Sequence, residues 1–327
     1  MKARTLLALA LVLVGAGAVV LLARHGSQVE RAPAAKAGDG GASGAAAYDT
    51  TRIVSLAPAI TETLFALGKG GSVVGVSLYS DYPAEAKQLP SVGAGTSPDL
   101  EAIARLKPTL ILGEQTKILP ADKIAPLGPT KLLPWLTPAE IVASVRELGG
   151  IVGREAEAEA LARRMEARWK AQPAANAPRV LMLFGDSPGR LGGPLYFAKP
   201  GSLHDALLVA GGGKNAIEGE VSGMPTISVE GLLRLDPDAI LLLVADDDLP
   251  AEKRAQYVKD FDELATLRAV RERRVRVMNG SILYVTGPRV LAVIDQVAAA
   301  LGDMGFAAAG VATPAAPPAP AERPAAP

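Results

Sequence analysis

Gly185-Asp186-Ser187-Pro188-Gly189 fits the G-x-S-x-G pattern that carries a serine nucleophile on a sharp strand-to-helix turn. The oxyanion hole of that turn uses the backbone N–H of the residue after the serine. Here that residue is Pro188, which has none, and the stretch from Gly189 to Pro194 cannot continue as the required helix. A catalytic triad also needs a histidine, and the chain has only His25 and His204. Two histidines and no cysteine exclude a multi-histidine zinc site and a thiolate metal site. His204 lies just inside a predicted helix after Gly201-Ser202, where a lone histidine reads as a capping or surface residue. Asp246-Asp247-Asp248 follows a predicted strand and reads as a solvated loop rather than a calcium site. Gly211-Gly212-Gly213 follows a helix instead of a strand, so it is no dinucleotide loop. These readings argue against a serine hydrolase, a multi-histidine or thiolate metal site and a dinucleotide enzyme.

The elements around these residues alternate between short apolar strands and amphipathic helices. Strands are predicted at Arg52–Leu56, Ser72–Val76, Thr109–Leu112 and Lys131–Trp135, with helices at Thr61–Leu67 and Leu100–Leu106. Thr137-Pro138-Ala139-Glu140 is a capping box with proline at the first helical position. The helix it opens is expected to break at Gly149-Gly150 and resume from Arg154 to Ala171, with Leu161, Met165 and Trp169 on one stripe. A second series follows: strand Arg179–Phe184, helix Ser202–Ala210, helix Val229–Leu235, strand Ala239–Val244, strand Val275–Val277 and helix Pro288–Leu301. Such alternation argues for parallel α/β sheets. In open α/β sheets ligands bind beyond the carboxyl ends of the strands. That rule selects Ser55 to Pro58, Ser77 to Asp81 (with Tyr79 and Ser80), Gly113 to Gln115 (with Glu114), Gly185 to Ser187, and Ser281 to Thr286. Tyr79 and Tyr82 offer ring faces on which a large planar ligand can stack.

Thirty-four basic and thirty-four acidic residues give a formal net charge of zero, so there is no electrostatic case for nucleic acid. Lys2 and Arg4 precede an apolar run from Leu6 to Ala23, an export signal as long as a short membrane span. A cleaved signal peptide and a retained inner-membrane anchor both remain open. The absence of cysteine excludes a lipoprotein anchor. The chain divides into an export segment (1–25), a flexible Ala/Gly-rich linker (26–50), an N-terminal α/β lobe (51–136), a connecting helical region (137–173), a C-terminal α/β lobe (174–306) and a disordered Ala/Pro-rich tail (307–327).

The two lobes echo each other. Asp99-Leu100-Glu101 through Arg105-Leu106-Lys107-Pro108 parallels Ser228-Val229-Glu230 through Arg234-Leu235-Asp236-Pro237, each leading into a buried strand. Further motifs follow in order: Arg52-Ile53-Val54-Ser55-Leu56-Ala57-Pro58, Thr61-Glu62, Ala66-Leu67-Gly68, Tyr79-Ser80-Asp81-Tyr82-Pro83, Val92-Gly93 and Ala210-Gly211-Gly212. With them the chain resembles, from about Thr51 to Leu301, the iron-chelate/vitamin-B12 periplasmic binding protein family, most closely its vitamin-B12 branch. The resemblance implies two Rossmann-like lobes with central parallel sheets, joined by a single long α-helix for which Arg154 to Ala171 is the candidate. It implies a monomeric periplasmic receptor, not an enzyme and without a cofactor of its own, that captures cobalamin or a related corrinoid and delivers it to an ABC permease dimer with its ATPase. A ferric siderophore or haem is the alternative ligand, and a membrane-tethered sensor without a transporter is the alternative class. Glu101 and Glu230 match the lobe-surface glutamates that pair with permease arginines; read from the residues alone, each is a first-turn acid that favours the helix dipole. Positions matching the branch's cleft aromatics hold Gly95, Glu114 and Met224. Tyr196 and Tyr284 can supply part of the missing surface. The haem-branch tyrosine position holds Ala94. Arg190 and Arg289 are the arginines available to a carboxylate siderophore. Pro58, Tyr79, Ser80, Asp81, Glu114, Gln115, Tyr196, Met224, Tyr284 and Arg289 are thus the expected ligand residues.

Overall fold

A computed structural model describes residues 48–119, 121–185 and 193–306. The export segment, the linker up to Ala47, the tail, Ser187 and Arg190 lie outside the described residues. Among the described residues no helix is long and apolar enough to cross a membrane.

The first sheet joins β1 (Ile53–Ser55), β2 (Val73–Val76), β5 (Leu110–Glu114) and β6 (Thr130–Leu133) in the order β2-β1-β5-β6, all parallel. Every residue of β1 is buried, as a central strand covered on both faces requires. Helix α1 (Pro58–Ala66) follows β1 and starts three residues earlier than expected, because Pro58 takes the first helical position. A two-residue antiparallel pair, β3 (Gly93–Ala94) with β4 (Ser97–Pro98), precedes α2 (Leu100–Leu106). Short helix α3 (Ala121–Ile124) lies between β5 and β6.

Two helices follow, α4 (Pro138–Val152) and α5 (Glu155–Trp169). The capping box at Thr137 and Glu140 forms in both directions. The break falls at Gly153, in the left-handed region at φ 64°, and not at Gly149-Gly150. Gly149 serves close packing instead. A Cβ there would lie 2.2 Å from the Ala158 Cβ, so glycine lets α4 and α5 approach each other. The Ser144 hydroxyl donates to the Pro134 carbonyl (2.6 Å) and Lys131 pairs with Glu147, which hold α4 to the end of β6. Arg146 on α4 pairs with Glu159 and Glu166 on α5. Arg168 on α5 pairs with Asp295 of the last helix. The passage between the sheets is therefore carried by α4, docked on the first, and α5, docked on the second; Arg154 to Ala171 is the second member of this pair. Both line one apolar cluster that runs from Ile53 and Leu112 through Val145, Leu148 and Met165 to Val180, Leu208 and Val297.

The second sheet is built from β7 (Arg179–Phe184), β8 (Leu195–Phe197), β10 (Thr226–Ile227), β11 (Ala239–Val244) and β12 (Val275–Asn279), in the order β10-β8-β7-β11-β12, with β9 (Lys214–Asn215) also on β7. β7, β11 and β12 are parallel; β8 is antiparallel to both its neighbours. Helices α6 (Leu203–Ala210), α7 (Val229–Leu235), α8 (Ala251–Lys259), α9 (Arg268–Arg271) and α10 (Val290–Asp303) cover it. The repeat read from sequence is structural. Helices α2 and α7 are each seven residues long, capped by the Asp99 and Ser228 side chains, and end on left-handed Lys107 and Asp236. Each then feeds a buried strand.

Candidate ligand cleft

In a sheet of order β2-β1-β5-β6 the chain leaves β1 toward one edge and returns through β5 toward the other. The topological switch lies between β1 and β5, and a ligand crevice forms there. The loops bordering it carry Pro58, Tyr79, Ser80, Asp81, Glu114 and Gln115.

A chain of buried hydroxyls fixes these loops. Thr61 Oγ1 lies 2.8 Å from Ser55 Oγ and 3.2 Å from Ser80 Oγ, which is 2.9 Å from Ser77 Oγ. Ser80 is therefore not a surface ligand group. It is buried and ties the loop after β2 to α1. The turn that buries Ser80 ejects its neighbour: Tyr79 sits at φ 74° and is 37% exposed. Holding a tyrosine in the left-handed region is unfavourable by about 1–2 kcal/mol. Leu78 beside it is also exposed, as are Ile118 after β5 and Leu136 after β6. Four large apolar side chains thus emerge from loops at the carboxyl end of one sheet. Sequence reasoning misses Leu78, Ile118 and Leu136, because a loop leucine or isoleucine carries no periodic signal. Asp81 and Gln115 are exposed, and Gln115 N–H extends the ladder to the Leu133 carbonyl (2.8 Å). Pro58 is partly buried at the start of α1.

Glu114 closes β5 with its side chain on the face that carries buried Leu110 and Leu112, in register with buried Leu133. Glu114 is half-buried; desolvation pushes its carboxyl up to about 7, and among the described residues no partner offsets the rise.

The C-terminal half contributes differently. The Tyr284 hydroxyl donates to the Leu243 carbonyl (2.9 Å), and its ring lies 6.0 Å from His204 and 6.1 Å from Phe184. Tyr284 is half-buried and supports the 281–286 loop more than it offers a free face. His204 is half-buried rather than a surface residue, against Phe184 edge-on at 4.8 Å, with Nε2 2.9 Å from the Leu283 carbonyl. Burial lowers its pKa, partly offset by that bond. Tyr196 is half-buried on β8, paired in register with Phe184 and Thr226; Met224 is exposed before β10. Asp247 is not merely solvated: Oδ1 accepts from the Ser281 N–H (2.8 Å) and hydroxyl (3.1 Å). Among the described residues no group of His, Asp and Glu is arranged to hold a metal.

Arg289 is committed elsewhere. It pairs with Glu62 on α1 at 2.5 Å, across 227 residues, and stacks on Tyr82 with its Cζ 4.3 Å from the ring centroid. Glu62 is almost wholly buried, and burial raises its carboxyl above the usual range despite Arg289. Nearby, Trp135 Nε1 donates to the Thr286 carbonyl (3.0 Å). A Cβ on Gly287 would meet Glu62 Oε2 at 2.9 Å and Ala59 Cα at 3.2 Å, so only glycine fits this approach. Residues 286–289 thus clasp the first half. A groove of about 730 Å³ beside α1, lined by Phe65, Tyr82, Glu85 and Arg289 among others, lies on this flank and shares only Arg289 with the expected ligand residues.

A profile of the periplasmic binding protein family matches residues 53–281. The chain belongs to this family. Among periplasmic binding proteins, the vitamin B12-binding protein of Pectobacterium atrosepticum is 30% identical over 268 residues, 78% of this chain and 90% of that protein. The ABC transporter substrate-binding lipoprotein YvrC of Bacillus subtilis is 26% identical over 258 residues, covering 76% and 78%. The solved periplasmic haem-binding protein of Pseudomonas aeruginosa superposes with a TM-score of 0.62 at 29% identity, covering 82% of this chain and 96% of that one. The periplasmic vitamin B12-binding protein of Vibrio cholerae gives 0.61 at 25% identity, covering 78% and 98%. The two-lobed α/β architecture and the transport role of the family are those expected from the sequence motifs.

Glu101 and Glu230 occupy the same helical position in α2 and α7, and both are exposed. Each helix runs antiparallel to the strand it feeds, so both acids lie toward the strand carboxyl edge of their sheet. Glu101 has Arg105 as a neighbour at 3.5 Å, an exposed pair of little energetic weight.

Proposed function

We propose that this periplasmic binding protein is the receptor of an ABC importer, capturing cobalamin or a related corrinoid between its halves and handing it to an inner-membrane permease with its ATPase. The observation that carries the reading is the apolar rim of Leu78, Tyr79, Ile118 and Leu136 at the switch point of a fold shared with vitamin B12-binding proteins. A corrin macrocycle presents a wide face of low polarity, and such a rim removes that face from water. Haem is the second reading, favoured by the Pseudomonas aeruginosa relative and by the exposed phenol of Tyr79, which can serve as an axial oxygen ligand. Absorption and calorimetric titration of the purified protein with cyanocobalamin, haemin and ferric siderophores tests both. Saturable one-to-one binding of cyanocobalamin is expected; absence of binding to all of them overturns the receptor reading.

The docking contacts fit Glu101 and Glu230, one on each half, meeting arginines of a symmetric permease dimer. Charge reversal of both, Glu101→Arg with Glu230→Arg, is expected to abolish uptake in cells and leave ligand affinity unchanged. Surviving uptake would return both to the role of helix-dipole acids. The receptor works outside the inner membrane, exported by the segment 1–25. Mass spectrometry of the native amino terminus distinguishes a cleaved signal from a retained anchor.

A further inference from the structure

We infer that Glu114 makes the cleft select its ligand by charge, disfavouring a chelate that presents a carboxylate at the β1–β5 junction and favouring one whose rim there is uncharged and donates hydrogen bonds. The inference rests on the chelate-receptor reading and deepens it.

Glu114 is the last residue of β5, at the switch point where the crevice forms. Its side chain shares a face with Leu110 and Leu112 and stands beside Leu133, all three fully buried. Glu114 is itself half-buried at the end of this apolar face, and the partial loss of hydration there pushes its carboxyl up to about 7.

An acid in such a place ordinarily finds a cation or several donors. Glu62, more deeply buried, has Arg289. Among the described residues nothing donates to Glu114. Its lone pairs are left for whatever enters the crevice, and they ask for donors such as the N–H groups of a primary amide.

The remaining charges agree. Arg289 is the one described arginine in the strand-end loops, and Glu62 neutralises it. Lys117 is exposed, and Asp81 and Asp246 add negative charge. A ligand carboxylate lodged near Glu114 meets repulsion without a guanidinium to receive it. Two carboxylates about 5 Å apart in a protein-like dielectric repel by more than a tenfold factor in affinity.

The test uses matched probes and the purified protein at pH 8. Dicyanocobinamide and dicyanocobyrinic acid share a corrin ring but carry amides and carboxylates respectively. Haemin dimethyl ester and haemin form the equivalent porphyrin pair. The wild type is expected to bind the uncharged member of an accepted pair at least about tenfold more tightly. Glu114→Gln should bring the ratio to within about threefold, mainly by improving the acid, because glutamine keeps the shape and removes the charge. Glu114→Lys should reverse the preference. A ratio that Glu114→Gln leaves unchanged, or a wild type that prefers the acids, overturns this inference while leaving the receptor reading intact. Failure of the wild type to bind any of the four probes overturns this inference, and failure to bind cyanocobalamin and ferric siderophores as well overturns the receptor reading.

Discussion

Removing Arg289 is the most informative single change to the frame that holds the cleft. Arg289→Ala leaves the Glu62 carboxylate, 2% exposed at its side chain, facing a void where its only cation stood. Breaking a buried pair by deleting one partner is destabilising by about 3–5 kcal/mol, because a desolvated charge is left uncompensated. Loss of the stack on Tyr82 adds about 0.5–1 kcal/mol. The pH dependence separates this cause from simple loss of packing. Burial already raises Glu62 above its unfolded value of 4.5, and Arg289 opposes the rise. Without Arg289 the folded-state pKa climbs further. The folded variant then holds a proton that the unfolded chain has released, so its stability falls as pH rises from the unfolded pKa to the new folded one. Urea unfolding at pH 8 should therefore show a loss of about 3–5 kcal/mol, and at pH 5 a clearly smaller one. Adding Glu62→Gln to Arg289→Ala should recover much of the pH 8 loss. An equal loss at both pH values, or one below about 1 kcal/mol at pH 8, refutes the claim that the pair is a buried clasp.

Glu114→Gln should raise the unfolding temperature at pH 8.5 by about 5–10 °C, since a carboxyl moved from 4.5 to about 7 is destabilising by about 2–3 kcal/mol once ionised. The sign follows from the raised pKa: the folded acid is protonated and the penalty absent below about pH 4, and it is complete above about pH 8, so differential scanning calorimetry should find the gain vanishing toward pH 4. Tyr79→Gly should stabilise the free protein by about 0.5–1 kcal/mol through relief of its φ of 74°, while weakening cyanocobalamin binding by about 1–3 kcal/mol if the ring stacks on the corrin. Unfolding and titration on the same preparation should move in opposite directions, and equal affinity would remove Tyr79 from the site.

Local signals make much of the frame legible. Helices α2 and α7 are bounded to the residue because an Asp or Ser cap opens each and a proline lies just beyond each end. β7 and β11 are equally clear, as near-continuous apolar runs between turn signals. Errors arise where a tertiary contact decides. Gly149 reads as a helix stop, yet it stays helical because α5 packs against it at Ala158. Helix α8 is mostly polar and only Tyr257 of it is buried, so its periodicity carries little weight. β8 and β10 are three and two residues long, too short to show alternation.

The cleft shows the same division at the scale of single side chains. The rule that ligands bind beyond strand ends picks loops from sequence, because it depends only on strand order and direction. It does not say which side chains in a loop point outward. Tyr79 and Ser80 are adjacent, and sequence expects both to touch ligand. The hydroxyl chain from Ser55 through Thr61 draws Ser80 inside and thereby turns Tyr79 out. Arg289 reads as available at a helix start, and its partner Glu62 lies 227 residues away in the other half. No local pattern reports such a pairing. The two halves of the chain must be folded against each other before the cleft's charge can be counted. Once Arg289 is assigned to Glu62, Glu114 is left, among the described residues, as a partly buried acid at the junction without a donor, and the ligand's own charge becomes the quantity to vary.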